Sequence, residues 1–448
     1  MNKQIFHYRV TPSVVRADQD TTVTIHPLGE NVAFKQGSTY YVRFAEMDTG
    51  HSDFTKALQA KAYQCQPNEN GDIVVTHHFR GEQRHAIFIA RPDEDKNSPH
   101  YDINNHRKKN GENTITTICV YSLYEDMYGL RPFKGEVHCH TFESDGTQDA
   151  IHTVGNYRNA GYDFMAITDH FTSFASEKAM RVFGDAPVDM TLMLGEEVHV
   201  PTEHIHAVHL GGSESVNGYF REHTDEARAE VAEIMKTLDL PEDVPVEDYA
   251  WRVWIAKKSH EFGGLSILAH PHWVWCDVYF MGDATTRQLL RDGVHDALDL
   301  TDDDFDASLN FWAEMRAEGV KMNLVGSTDS HRTEPTDPHK PARDSGGYTV
   351  VFAPNRSPEA IKDAIRNGKS LCVNAKYTPE LVVGDYRLAK YTRFLLDHYY
   401  PVYKKLCDGQ GTVMWDYPVE GKPDGALESL LGALNARSEA FAHEFFGY

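Results

Sequence analysis

The stretch Gly135–His170, GEVHCHTFESDGTQDAIHTVGNYRNAGYDFMAITDH, determines how the rest of the chain is interpreted. His138 and His140 are two positions apart, and residues i and i+2 of a β-strand point to one face, so both imidazoles can reach a common point. Asp145 follows in a Ser-Asp-Gly turn that places a carboxylate beside them. A helix-like segment and a short apolar run come next, and the run ends at His170. The pattern predicts a βαβ-like unit that brings these four side chains to the carboxyl ends of neighbouring strands, where α/β folds keep their active sites.

The order of these motifs, HxH-x4-DG followed by ITDH at a strand end, resembles the PHP superfamily, the metal-dependent phosphoesterases and hydrolases named for polymerase and histidinol phosphatase. Further motifs of the family follow along the chain. They are the Gly-x-Glu that contains Glu197, the Ala-His-Pro that contains His270, and the GSTDSH stretch that contains Asp329 and His331. The region after Gly346 is similar to the end of PHP proteins related to the carbamate and aryl-ester hydrolase branch.

The resemblance implies a distorted (β/α)7 barrel of PHP type over residues 131–375 and a metal centre of nine ligands. Transferred position by position, the ligands are His138, His140, Asp145, His170, Glu197, His206, His270, Asp329 and His331. His138, His140, Glu197 and Asp329 would form one metal site; Glu197 would bridge to a second site with His206 and His270; Asp145, His170 and His331 would hold a third metal. Such imidazole-rich shells suit Zn²⁺, Mn²⁺ or Fe rather than Mg²⁺, so two to three divalent metal ions of these kinds are expected.

Two histidines compete for one ligand position. His204 and His206 lie on one face of the strand predicted over 203–209, and successive residues on one face are roughly 6.5–7 Å apart, so one of them is expected to reach the metal. The family spacing favours His206, with His204 nearly equal. Glu196 is expected to point away from Glu197, as an ordinary solvated or hydrogen-bonded acid.

The resemblance implies hydrolysis by metal-activated water without a protein nucleophile. The chain contains no GxSxG elbow and no GxxxxGK[ST] phosphate loop that would support another mechanism. A phosphoesterase acting on a small phosphate ester is favoured, because Arg332 directly follows the last ligand and can pair with an anion. Glu197, His206, Asp329 and Arg332 are the residues expected to act in catalysis. The alternatives are hydrolysis of a carboxylic ester, carbamate or amide bond, and a catalytically silent metal-binding module.

Composition restricts the possible partners. Lys and Arg total 44 against 67 Asp and Glu, a formal charge of −23, which favours a small-molecule substrate over nucleic acid. No apolar run has the length of a membrane span or signal peptide, so a cytoplasmic protein without a membrane partner is expected. The six cysteines include no CxxC pair, which predicts free thiols.

The 448 residues suggest two or three domains. Residues 1–130 contain short β-rich runs between Gly, Asn, Asp and Pro clusters, which predicts an N-terminal β-sandwich domain. Its expected role is packing or an oligomer contact, with carbohydrate or partner binding as the alternative. Amphipathic helices at 391–406 and 426–445 predict a helical C-terminal extension over 376–448 that caps the barrel or makes a dimer contact. The segment 126–134 is predicted to be a linker, and 97–113 a loop.

Several residues beside the motifs have two interpretations. His272, Trp273 and Trp275 line a substrate pocket or belong to a packed loop. Asp169 is expected to orient a metal ligand without binding the metal itself. The acidic residues 302–304 are interpreted as helix N-terminal charges, not as metal ligands.

Overall fold

The computed structural model describes residues 3–48, 60–90, 115–332 and 346–448. The loop predicted at 97–113 lies outside these ranges. The chain divides into two compact units. The first contains Met1–Leu130, Lys390–Tyr403 and Arg437–Tyr448, and the second contains Arg131–Ala389 and Lys404–Ala436. Residues of the predicted C-terminal extension are therefore found in both units.

The first unit is built on two β-sheets. Its strands are β1 (Tyr8–Thr11), β2 (Val14–Arg16), β3 (Gln19–Pro27), β4 (Tyr40–Glu46), β5 (Tyr63–Cys65), β6 (Ile73–Phe79), β7 (Gln83–Ala90) and β8 (Ile115–Leu123). The strand orders are β1-β3-β6 and β2-β8-β7-β4-β5. Burial alternates along β6, as a strand with one covered face requires. Val23, Val42 and Ile87, from both sheets, belong to one hydrophobic core. The classification as a β-sandwich stays a prediction.

The second unit contains the predicted metal ligands. Its strands are β9 (Arg131–Glu136), β10 (Phe164–Met165), β11 (Thr191–Leu192), β12 (Gly195–Val198), β13 (Ala207–Leu210), β14 (Leu265–Leu268), β15 (Val274–Trp275), β16 (Val278–Tyr279), β17 (Ala297–Leu300), β18 (Asn323–Gly326), β19 (Gly347–Ala353), β20 (Ser370–Asn374) and β21 (Leu381–Val383). They form a six-stranded sheet in the order β11-β10-β9-β19-β20-β21, a five-stranded sheet in the order β12-β13-β14-β17-β18, and the hairpin β15-β16.

The two larger sheets curl toward each other and are joined by single bridges. Cys139 pairs with Ser330 and His170 pairs with Glu197, each in parallel orientation. The sheets are mixed: β14, β17 and β18 run parallel, whereas β13 is antiparallel to both of its neighbours. The unit is thus a mixed α/β fold rather than an all-parallel one, and the complete (β/α)7 barrel stays a prediction.

Helices occur in both units. They are α1 (Glu125–Tyr128), α2 (Ala150–Asn159), α3 (Phe174–Phe183), α4 (Val216–Glu222), α5 (Thr224–Met235), α6 (Val246–Glu261), α7 (Asp283–Asp292), α8 (Phe305–Ala317), α9 (Pro358–Arg366), α10 (Tyr386–His398), α11 (Tyr400–Met414) and α12 (Gly425–Phe446). Asp149 caps α2 by accepting from the amides of Ile151 and His152, and Ser357 caps α9 with proline in its first turn.

Two sequence predictions of local structure need refinement. The two units divide between Leu130 and Arg131, within the linker predicted at 126–134, but this segment also contains part of α1 and the start of β9, whose residues 131–134 pair with β19. The segment predicted to be helical at 391–406 lies in two helices, which end and begin on either side of Tyr399. All six cysteines are described and none forms a disulfide, as predicted. Within the described ranges no helix is both long and apolar enough to cross a bilayer.

Candidate metal centre

The structure brings the nine predicted ligands into one cluster of overlapping groups. Within each group the ligand-type atoms lie within 4.8 Å of one another. The groups are His140, Asp145, His170 and His331; His138, His270 and Asp329; His138, His140 and Glu197; Glu197, His206 and His270; and His170, Glu197 and His199. The role of the nine residues as metal ligands stays a prediction.

Strand direction explains how residues so far apart in sequence meet. His138 and His140 follow β9, His170 follows β10, and His270 follows β14. His206 instead precedes its strand, because β13 runs antiparallel to β12 and begins at the edge where β14 ends. An antiparallel strand therefore supplies a ligand from its amino end to the same side of the fold.

Six residues form the enclosed half of the cluster: His138, His140, Glu197, His206, His270 and Asp329. Their side chains are 0–14% exposed. The centre of this half is the Glu197 carboxylate. Its Oε1 lies 2.8 Å from His206 Nδ1 and 3.2 Å from His270 Nε2, and its Oε2 lies 3.6 Å from His138 Nε2. Two histidines on one oxygen and a third on the other are what a bridging carboxylate needs.

Asp329 is the second carboxylate of the enclosed half. Its Oδ1 lies 2.9 Å from His140 Nε2 and 3.4 Å from His138 Nε2, and its Oδ2 lies 3.8 Å from His270 Nε2. Asp329 and His270 have φ values of 47° and 23°, in the left-handed region that non-glycine residues rarely adopt. Strain of this kind is characteristic of functional sites.

Three residues form the open half of the cluster: Asp145, His170 and His331. Asp145 Oδ1 lies 3.2 Å from His331 Nε2 and 3.5 Å from His170 Nε2. The three side chains are 57%, 22% and 36% exposed, respectively. The Nδ1 of His170 lies 2.7 Å from Glu197 Oε2, so one imidazole connects the two halves.

Charges inside the enclosed half shift the pKa values of its members strongly. Burial by itself would raise the pKa of Glu197, but His206 and His138 outweigh it and hold that pKa well below its usual range. Burial likewise opposes the ionised form of Asp329, yet His138 and His140 lower its pKa. The pKa of His270 is raised to about 9, because the carboxylates of Glu197 and Asp329 outweigh the effect of burial. Both carboxylates therefore stay charged and require positive partners.

The hydrogen bonding of the cluster tests whether a cation fits. Several buried nitrogen and oxygen atoms of the cluster have no hydrogen-bond partner among the described residues. Five of these atoms are His138 Nε2, His140 Nδ1, Glu197 Oε2, His206 Nδ1 and His270 Nδ1. Two of the nitrogens face the Glu197 carboxylate: His138 Nε2 lies 3.6 Å from Oε2, and His206 Nδ1 lies 2.8 Å from Oε1. Buried polar atoms are almost always paired, and imidazole nitrogens that meet a carboxylate without a hydrogen bond suit a divalent cation. The residues present fit a metal centre.

Sequence reasoning missed two members of the neighbourhood. His199 Nε2 lies 3.4 Å from Glu197 Oε2 and 2.8 Å from His170 Nδ1. Its signal was present, because it follows Glu197 by two positions, the spacing of the HxH motif. Asp299 is fully buried, and its Oδ2 lies 3.3 Å from His138 Nδ1 and accepts from Ser327 Oγ at 2.6 Å. The only indication of this role in the sequence is that Asp299 is the single acidic residue within the otherwise apolar strand ALDL.

Two acids outside the cluster hold the segments that carry its residues. Glu136 accepts from the amide of His138 at 3.1 Å and from Thr328 Oγ1 at 2.9 Å. These hydrogen bonds connect the segment that carries His138 to the segment that carries Asp329. Asp169 was expected to orient a metal ligand. It accepts from the amide and hydroxyl of Thr141, both at 2.6 Å, and from Ser144 Oγ at 2.7 Å, so it fixes the turn that presents Asp145.

Glu196 points away from Glu197, as predicted, but it is fully buried rather than solvated. It accepts from Ser215 Oγ at 2.6 Å and from Asn217 Nδ2 at 3.0 Å, at the amino end of α4. Burial raises the pKa of this carboxyl group.

His204 is exposed, and its ring lies 6.4 Å from that of Phe280 between centroids, whereas His206 is buried beside Glu197. The premise that both lie on one strand is wrong. The strand begins at Ala207, so both histidines belong to the preceding segment. His206 is the histidine that faces the cluster.

The remaining candidates divide between structure and site. His272 is buried and structural: its amide donates to Asp304 Oδ2 at 2.9 Å and its Nδ1 lies 2.9 Å from Ser308 Oγ. Asp304 occupies the N-cap position of α8, as the interpretation of 302–304 as helix N-terminal charges implies, but its carboxylate accepts from His272 and Ser308 rather than from a helix amide. Trp273 lies beside the cluster, 5.9 Å from His270 between ring centroids. Arg332 is exposed next to His331.

No family model matches the chain. No curated protein matches it either.

Solved structures do show similarity. A two-domain protein from Bacteroides vulgatus that contains a predicted PHP-like metal-dependent phosphoesterase is 16% identical, with a TM-score of 0.42 over 59% of this chain and 70% of that one. A Bifidobacterium adolescentis protein described as a metal-dependent phosphoesterase is 16% identical, with a TM-score of 0.33 over 47% of this chain and 92% of that one. An amidohydrolase from Chromobacterium violaceum, solved with sulfate and without metal, is 15% identical, with a TM-score of 0.31 over 44% and 87% of the two chains. Because these identities and scores are low, the chemistry of the site is inferred from its own residues.

Proposed function

We propose that this chain is a metal-dependent hydrolase of PHP type, and that it cleaves a small phosphate ester. The observation that carries the proposal is the enclosed half, where the ionised carboxylates of Glu197 and Asp329 face imidazoles, and where His138 Nε2 and His206 Nδ1 lie toward Glu197 without a hydrogen bond. A cluster of this composition is costly to bury unless cations compensate its charge.

The groups described above indicate how ions would be held. His138, His140, Glu197 and Asp329 would hold the first, Glu197 with His206 and His270 the second, and the open half the third. When bound, Zn²⁺, Mn²⁺ or Fe ions would lower the pKa of water and polarise the ester. The side chain of Arg332, exposed beside the open half, would bind a phosphate oxygen.

Hydrolysis of a carboxylic ester, carbamate or amide is the second candidate. It is favoured by the aromatic surroundings of His206, whose ring lies 4.4 Å from Phe280 and 6.1 Å from Trp273 between centroids. An apolar wall suits an uncharged substrate as well as an apolar part of a phosphate ester.

The test is a metal analysis followed by a substrate comparison on the metal-loaded enzyme. We expect two to three equivalents of transition metal and faster cleavage of p-nitrophenyl phosphate or bis(p-nitrophenyl) phosphate than of p-nitrophenyl acetate. Absence of bound metal in protein never treated with chelator would refute the metal centre. An acetate rate well above both phosphate rates would replace the phosphoesterase with the second candidate.

Histidine variants locate the activity. The double change His138→Ala and His140→Ala should abolish metal binding and hydrolysis. His206→Ala should lose the second ion with activity, and His204→Ala, which removes an exposed histidine two positions away, is the matched control and should retain its metal content. Loss of metal from the control alone would reverse the assignment of these two histidines.

A further inference from the structure

The segment Trp273–Phe280 is a tight β-hairpin that follows directly after the His270 motif. Its strands β15 and β16 pair antiparallel, with Trp275 opposite Val278. Its base is closed by a hydrogen bond of 2.6 Å from the amide of Phe280 to the carbonyl of Trp273. Cys276 and Asp277 have φ values of 51° and 65°, as a two-residue type I′ turn requires. The hairpin therefore has a defined register and two distinct faces.

One face of the hairpin is aromatic and uncharged. Alternation along the strands places Trp273, Trp275, Val278 and Phe280 on that face, and the ring centroids of Trp273 lie 5.6 Å from Trp275 and 5.4 Å from Phe280. Val274 and Tyr279 occupy the other face, where the Tyr279 ring lies 5.4 Å from the buried His272.

The aromatic face extends from the enclosed half of the metal centre into solvent. Phe280 lies 4.4 Å from His206, and Trp273 lies 5.9 Å from His270, between ring centroids. At the outer end Trp275 is 60% exposed and Val278 is 63% exposed. A contiguous apolar surface that is left open to water and leads into a reactive centre is a place where a ligand binds.

We propose that this face binds a planar aromatic group that the substrate carries on the alcohol side of its scissile bond. The identity of that bond rests on the proposed function. Aromatic rings favour one another at centroid separations of about 4.5–7 Å, in stacked or edge-on geometry, and the exposed indole of Trp275 is available to pair with a further ring. The continuity of the face with His206 and His270 assigns it to the substrate rather than to a separate partner.

The test compares two phosphate monoesters of primary alcohols, benzyl phosphate and n-butyl phosphate, which share the scissile bond and differ in the ring. We expect Trp275→Ala to lower kcat/KM for benzyl phosphate about tenfold, mainly through KM, and to change that for butyl phosphate less than about twofold. Trp275→Phe should restore most of the benzyl preference. Val274→Ala, an equally exposed residue on the opposite face, is the matched control and should change neither substrate.

Equal effects of Trp275→Ala on both esters, or no effect on either, would overturn the proposal. A variant that changes the sedimentation coefficient but keeps the benzyl preference would also overturn it, since the face would then pack against a second copy. If phosphate esters are not cleaved, the proposed function is refuted but the aromatic site is not. Benzyl acetate and butyl acetate then provide the same comparison. If no ester is cleaved, saturation-transfer NMR with 2-naphthalenemethanol decides: binding that Trp275→Ala abolishes supports the aromatic site, and absent binding refutes it.

Discussion

The enclosed and open halves of the metal centre use the same kinds of side chain in opposite environments. Glu197 is fully buried, whereas the Asp145 side chain is 57% exposed, and both carboxylates face two or more imidazoles. A buried charge depends on its partners because water cannot replace them, while an exposed one is screened and solvated. The comparison teaches that the identity of the side chains alone does not set the metal affinity of a site, because burial also contributes. Removing a carboxylate from the enclosed half should therefore lower activity more than removing one from the open half.

The largest effect is expected from Glu197→Gln. It removes the carboxylate shared by two groups of the enclosed half, so activity should fall about a thousandfold or more and at least one metal equivalent should be lost. Kinetics and metal analysis of the purified variant measure both. Glu196→Gln is the matched control, because this adjacent buried acid binds Ser215 and Asn217 instead. It should retain its metal, and similar metal loss in both variants would contradict the assignment.

A smaller effect is expected from Asp145→Asn in the open half. Activity should fall roughly a hundredfold, with one metal equivalent lost and the others kept. In the native protein a limiting chelator should remove this same equivalent first, since solvent reaches His331 and Asp145 directly. Stopped-flow chelation, followed by metal analysis, measures the order in which the metal ions are removed. Simultaneous release of all ions in the native protein would show that the two halves do not differ.

Asp299→Asn should weaken the enclosed half without removing a ligand. The carboxylate of Asp299 holds the Nδ1 side of His138, and loss of such a partner lowers metal affinity about tenfold to a hundredfold. We expect the metal affinity to fall by a factor near ten, because asparagine keeps an oxygen at the same place. Competition with a metal-binding dye gives the affinity. Unchanged affinity would assign Asp299 a structural role through Ser327.

The smallest effect concerns His295, a buried histidine outside the cluster. Burial first, and then Arg252, lower its pKa to about 3, so it is neutral in the folded protein. Because the unfolded chain has the higher histidine pKa, near 6.5, the unfolded state binds the extra proton between these values, and stability falls as the pH falls below about 6.5. His295→Asn should reduce the slope of unfolding free energy against pH by up to about 1.4 kcal/mol per pH unit in this window. Denaturant unfolding at pH 7 and pH 5 measures it, and an unchanged slope would contradict the prediction.

The parts of the site that could be predicted from sequence are those with short, regular spacing. His138 and His140, or Asp329 and His331, are recognised because two positions along an extended chain return to the same side. His206 was separated from His204 only by the structure, because the direction and starting residue of β13 depend on its pairing with β12 and β14. Asp299 was not predicted, because the sequence of its own strand does not show that the strand lies beside His138 in the fold.

The same difference between local and distant information applies to the fold. The helix predicted at 426–445 is α12, Gly425–Phe446, because its amphipathic periodicity defines it locally. The linker predicted at 126–134 marks the division between the two units, but only the pairing of residues 131–134 with β19 shows that β9 begins inside this segment. Aromatic residues after His270 indicated a pocket or a packed loop, but not a hairpin whose strands are exposed on both faces.

The closure of that hairpin has a consequence for how such enzymes can diversify. The carbonyl of Trp273 meets the amide of Phe280, and the carbonyl of Pro271 meets the amide of Met281 at 3.4 Å, so the segment leaves and re-enters the fold at one place. A segment with coincident ends can be lengthened, shortened or exchanged while β14, α7 and His270 keep their positions. If the proposed function holds, chains with the same nine clustered residues could thus acquire different substrates by replacing one short insert, and a designer could do the same.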